Sequence, residues 1–194
     1  MNRNLRFSMV LCGLLIVVQG FSLAGIVSRG NHDFVANIIG ATLFWLVYTL
    51  FEYIYKLRIN YYIRLAVVIA ILSDGFLGFY LNLYEISPLF DRLQHIFSAY
   101  AAALFFYAIL INFPNNTVEV RPWTKFVFVA AIGMAAGSLN EIIEFTSDTV
   151  MKPQILNQPG LEDTDLDLIS NTIGAVVAGF HSLYIYFDNR SRHL

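Results

Sequence analysis

Four acidic side chains and one histidine stand out by type and spacing: Asp91 and His95 four residues apart, Glu141 and Glu144 three apart, and Asp167 four residues before Asn171. On a helix, intervals of three and four place both members of a pair on one face. Carboxylates with one imidazole suit a hard or borderline divalent cation, and they equally suit general acid–base chemistry. Asp91, His95, Glu141 and Asp167 are the candidate metal ligands, and Glu144 joins them as a candidate catalytic group. Asp163, Asn171 and Asp74 are candidate supporting residues. No serine or cysteine nucleophile motif accompanies them, so covalent catalysis has little support.

These groups sit at the ends of apolar blocks. Hydrophobic residues make up 57% of the 194 and charged residues 13%, far from the balance of a soluble domain, so the chain reads as an integral membrane protein. A formal charge of −2 argues against a nucleic-acid partner. Cys12, the one cysteine, reads as a small packing residue. Six blocks are long enough to cross a bilayer, at 6-28, 33-55, 64-84, 88-112, 123-147 and 164-187. The expected fold is all-α, a polytopic bundle of six transmembrane helices forming a single transmembrane domain over 1-194. The first block is too long for a signal-peptide core and lacks a cleavage pattern. Arg3, Arg6, Lys56, Arg58, Arg64, Arg121, Lys125, Arg190 and Arg192 fall on one side, and Arg29, Arg92 and Lys152 on the other, which places both termini in the cytoplasm.

Ser87-Pro88 reads as a helix start, with proline at the first helical position, so Asp91 lies about one turn and His95 about two turns into the fourth span. Glu141 and Glu144 lie near the outer end of the fifth span, and Asp167 and Asn171 in the first turns of the sixth. Three helices thus bring their polar groups to one level in the outer half of the membrane. Below them run small residues: Ser98 and Ala102, Gly137 and Gly133, Gly174 and Ala178, the kind of stripe through which membrane helices pack closely. Asp74, Gly78 and Asn82 repeat every four residues and offer a fourth wall from the third span.

Plainer readings exist for each group. Asp91 complements a helix dipole, but His95 is deeper, and an ionisable group at membrane depth costs about 2.5–3.5 kcal/mol on insertion scales. Glu141 and Glu144 stand at the negative end of a helix, where a cation, a proton, Arg92 or Lys152 must offset them. Asp163, Asp165 and Asp167 alternate as a calcium loop opens, but Leu168 and Gly174 stand where that loop needs glycine and glutamate, which excludes it. Asp163 and Thr164 read as helix caps, Asp165 as solvated, Glu52 as the partner of Lys56, and Asp74 as bonded to another helix. His32 and His181 read as interfacial, and the Asn115-Asn116-Thr117 sequon falls on the cytoplasmic side.

Three segments carry a family resemblance: Asp91-Arg92-Leu93-Gln94-His95, Glu141-Ile142-Ile143-Glu144, and the run from Asp163-Thr164 through Asp167 and Asn171 to Gly174-Ala175. With these the chain resembles the VanZ-like membrane proteins, and within them the YjdF-like bacterial inner-membrane proteins of unknown function. The likeness covers 91-180; Pro159-Gly160-Leu161-Glu162 departs from the Gly-Asp that usually precedes the Asp-Thr of that subgroup. It implies a multi-pass protein of the bacterial cytoplasmic membrane and supports the site without naming its chemistry. Two functions compete: an enzyme acting on a lipid or lipid-linked substrate through a divalent metal or an acid–base set, and a non-catalytic protein that binds or transports a cation, a proton or a head group. A third reading is a structural subunit whose polar residues lock helices together.

Overall fold

The computed structural model describes residues 3–112, 121–185 and 187, and among these the chain is helical with no strand. Seven helices follow in order: α1 (Arg3–Ser28), α2 (Val35–Tyr55), α3 (Tyr61–Leu72), the short α4 (Leu83–Ile86), α5 (Pro88–Asn112), α6 (Pro122–Met151) and α7 (Leu161–Ser182). Between α3 and α4 the helix continues from Ser73 to Tyr80 in the wider π form. Among the described residues five segments are long and apolar enough to cross a membrane: Leu5–Ser28, Val35–Tyr55, Tyr61–Tyr80, Pro88–Asn112 and Pro122–Met151. The 22-residue α7 is not among them, because Asp165, Asp167, Asn171 and His181 lower its hydropathy. The Asn115-Asn116-Thr117 sequon, Arg190 and Arg192 lie outside the described residues.

Several boundaries move for local reasons. The third span ends at Tyr80 rather than 84, since Asn82 adopts a left-handed φ of 63° that breaks the helix. The π segment also dissolves the four-residue phase expected of Asp74, Gly78 and Asn82. At the far end of α6 the helix runs one turn past the expected 147, to Met151, where Lys152 takes a φ of 51° as its C-cap. Leu161 opens α7, so Asp163 and Thr164 sit inside its first turn instead of capping it.

The chain divides into two compact units. The first comprises α1 to α4 with the end of α5 from Ala108 onward, and the second Pro88–Tyr107 of α5 with α6 and α7. In the first unit α1 packs on α2 and α3. Its interior holds an ion pair that the sequence reading assigned differently: Glu52 Oε1 meets Arg64 Nη2 at 2.7 Å, with side chains 3% and 0% exposed. Ser8 donates to Glu52 Oε2 at 2.7 Å and accepts from Arg64 Nη1 at 3.1 Å, so three helices share one network. Glu52 therefore pairs with a buried arginine on α3 in place of Lys56. Burial removes competing water, which is why the partner nearest in sequence loses to the one that is also desolvated. Asp74 belongs to this unit too, where its Oδ1 accepts from the Tyr84 hydroxyl at 2.6 Å.

In the second unit small residues let the helices approach. A Cβ added at Gly133 would meet those of Ala175 and Ala103 at 2.6 and 2.8 Å, one at Gly137 would meet Asn171 Cβ at 2.6 Å, and one at Gly174 would strike the Ile96 carbonyl. Ala103 on α5, rather than the expected Ala102, makes this contact. On α7 the buried face runs Asp167, Ser170, Asn171, Gly174, Ala175, Ala178 and Ser182, while Leu166, Ile169, Ile173, Val177 and Phe180 are exposed on the other. The helix is polar and small inward, apolar outward. His181, read as interfacial, stacks on Tyr100 with the rings 10° from parallel and accepts or shares a hydrogen bond with its hydroxyl through Nδ1.

Candidate acidic and histidine site

Pro88 starts α5, and Asp91 and His95 follow on one face of its first two turns. The imidazole is the centre of the site. Its Nε2 lies 3.4 Å from Asp91 Oδ1 and 3.4 Å from Asp167 Oδ1, while Nδ1 lies 3.6 Å from Glu141 Oε1. Carboxylates thus stand at both ring nitrogens, from α5, α6 and α7. A neutral imidazole donates from one nitrogen only, and an ionised carboxylate only accepts, so one nitrogen faces an acceptor with nothing to give it. A cation or a proton resolves that conflict.

Arg92 is the permanent positive charge here. Its Nη1 lies 3.1 Å from Asp91 Oδ2 and bonds Asp167 Oδ1, and its Nη2 bonds Asp163 Oδ1 at 2.5 Å. The planar fork of arginine suits this bridging role, which an ammonium fills poorly. Arg92 therefore serves the aspartates of α5 and α7 and not the glutamates of α6, contrary to the plain reading of the sequence. Asp163, read as a cap, is one of its partners.

Glu141 is 5% exposed and Asp167 1%. Asn171 Nδ2 donates to Glu141 Oε1 at 3.2 Å, and Gln158 Nε2 donates to Oε2 at 3.0 Å. Glu144 takes a hydrogen bond from Asn140 Nδ2 at 2.7 Å and lies with His95 and Glu141 in a group whose ligand atoms fall within 4.8 Å of one another. Asp91, His95 and Asp167 form a second such group. Five carboxylates (Asp91, Glu141, Glu144, Asp163 and Asp167) thus surround one guanidinium and one imidazole, and the excess is negative.

Of the residues named from the sequence, Asp91, His95, Glu141, Glu144, Asp163, Asp167 and Asn171 come together in the second unit. Asp74 is the exception, held by Tyr84 within the first. Sequence reasoning missed Gln158 and misplaced Arg92. The DRLQH segment did contain the signal for Arg92, one position before Leu93 and three before His95, but nothing in the loop sequence marks Gln158.

Comparison with known proteins agrees with the membrane character and names no activity. A Thermotoga maritima protein described as uncharacterized is 31% identical over 164 residues, covering 83% of this chain and 82% of its own. No solved structure matches the chain. The family model described as predicted membrane protein (DUF2238) matches residues 7–189, and the chain belongs to that family.

Proposed function

We infer that this is a six-span protein of the bacterial inner membrane whose acidic and histidine site holds a divalent cation and acts on a lipid or lipid-linked substrate. The observation that carries it is His95, flanked at both ring nitrogens by carboxylates of three helices. Arg92 already fills the gap among Asp91, Asp163 and Asp167, so the cation belongs on the other side, at His95 Nδ1, Glu141 and Glu144. Asp91 and Asp167 then back the imidazole through Nε2, the arrangement in which a metal-bound histidine is oriented by a carboxylate. A cation held there would supply the polarisation of a phosphoryl or acyl oxygen or the activation of water, and Glu144, half-buried beside it, would move the proton.

The sixth span is α7. Its exposed Leu166, Ile169, Ile173, Val177 and Phe180 face acyl chains, and its polar residues are satisfied inward. With six spans both termini are cytoplasmic, as the basic residues indicate, and the site opens toward the outer leaflet. The VanZ-like and YjdF-like resemblance fits this reading.

A second reading, a polar lock that only joins helices, is favoured by the fact that Arg92 and Glu141 find partners within the protein. A non-catalytic binder or transporter of a cation, proton or amine head group is the third. The test is a Mn2+ titration of the purified protein with Glu141→Gln beside it, together with the lipid profile of a deletion strain. Mn2+ uptake that Glu141→Gln abolishes, with an altered lipid profile on deletion, marks an enzyme, and the same uptake with lipids unchanged marks a binder. A protein that takes up no metal, with lipids unchanged on deletion, overturns the cation-dependent enzyme and leaves the lock and the binder of a proton or an amine head group.

A further inference from the structure

The loop 152–160 between α6 and α7 is tied down at two points. Asp148, in the last turn of α6, accepts through Oδ1 from the Asn157 backbone N–H at 3.1 Å and side-chain amide at 2.6 Å, and through Oδ2 from the Gln158 backbone N–H at 2.9 Å. This sends the Gln158 side chain back along α6 to Glu141. Its Nε2 donates both to the Glu141 backbone carbonyl at 2.9 Å and to Oε2 at 3.0 Å. Asn171 holds the other oxygen, Oε1, which is the one that faces His95 Nδ1. Both oxygens of a buried carboxylate are thereby fixed by neutral amides.

We propose that this loop is a latch on the site, anchored by Asp148, in which Gln158 is a positioning residue that keeps the Glu141 carboxylate turned toward His95. The proposal rests on the cation site argued above. A neutral amide suits the task, because it fixes direction and leaves the negative charge available, whereas a lysine at 158 would neutralise the carboxylate a cation needs.

The test uses the full chain in lipid nanodiscs, with hydrogen exchange of the 152–160 amides and Mn2+ affinity as two readouts. Gln158→Ala and Glu141→Ala each speed loop exchange roughly tenfold or more, as expected for a lost hydrogen bond to a charged acceptor. The double variant exchanges no faster than Gln158→Ala alone, since Gln158→Ala already removes the side-chain contact together with the bond to the Glu141 backbone carbonyl, which Glu141→Ala leaves in place. Mn2+ affinity falls roughly 10- to 100-fold in Gln158→Ala, the range for an outer partner of a metal ligand. Exchange unchanged in Gln158→Ala, or additive in the double variant, overturns the latch. Faster exchange with Mn2+ affinity unchanged overturns the positioning role. A wild-type protein that binds no Mn2+ refutes the cation reading separately, and the exchange cycle then decides the latch by itself.

Discussion

Replacing Arg92 by alanine removes the guanidinium that bridges three aspartates. Asp167 is 2% exposed at its side chain, so without Arg92 it keeps a buried charge with no guanidinium, while Asp91 and Asp163 retain 19% and 18% exposure. Breaking a buried pair from one side costs about 3–5 kcal/mol. Arg92 itself is 21% exposed and two of its partners reach solvent, so the low end applies, about 3 kcal/mol, a drop of roughly 100-fold in the folded-to-unfolded ratio. Arg92→Lys keeps the charge but loses the fork and costs about half as much. The assay is reversible unfolding in mixed micelles with added denaturing detergent, repeated with millimolar Mn2+, which recovers part of the loss in Arg92→Ala by entering the vacated position. An Arg92→Ala protein within about 0.5 kcal/mol of wild type refutes the view that this guanidinium holds the aspartates together.

Other consequences follow from the same packing. Arg64→Ala strands Glu52 and destabilises by about 3–5 kcal/mol, whereas Arg64→Met combined with Glu52→Leu restores most of that loss in the same unfolding assay. Gly174→Ala drives a methyl into the Ile96 carbonyl and costs about 1–3 kcal/mol, read as a lowered unfolding midpoint; an unchanged midpoint would show that α5 and α7 are not pressed together there. Excess Mn2+ at 100 times its dissociation constant stabilises the wild type by about 2.7 kcal/mol, stabilises His95→Ala less and the Glu141→Ala, Glu144→Ala double variant not at all, and a chelator removes the gain from the wild type.

The membrane character was legible because apolar blocks of about 20 residues have few other uses, and Pro88 set the start of α5. The meeting of Asp91, His95, Glu141 and Asp167 was legible from their spacing at three helix ends. What hydropathy cannot register is where a long charged side chain turns. Arg64 counted as a basic residue at an interface, and it is fully buried on Glu52; Arg92 counted as a screen for glutamates, and it forks among aspartates. The π segment from Ser73 was likewise hidden, since its side chains are as apolar as an α-helix would require while the register shifts. Gln158 escaped because a tether from a loop has no periodicity, and its direction is set by Asp148, ten positions away.

The most direct test of a histidine-anchored cation is pulsed electron paramagnetic resonance of the Mn2+-loaded protein. One directly bound nitrogen from His95 gives a hyperfine coupling that disappears in His95→Gln while Mn2+ remains partly bound through Glu141 and Glu144. A spectrum with oxygen ligands alone in the wild type, or a nitrogen coupling that survives His95→Gln, contradicts the assignment.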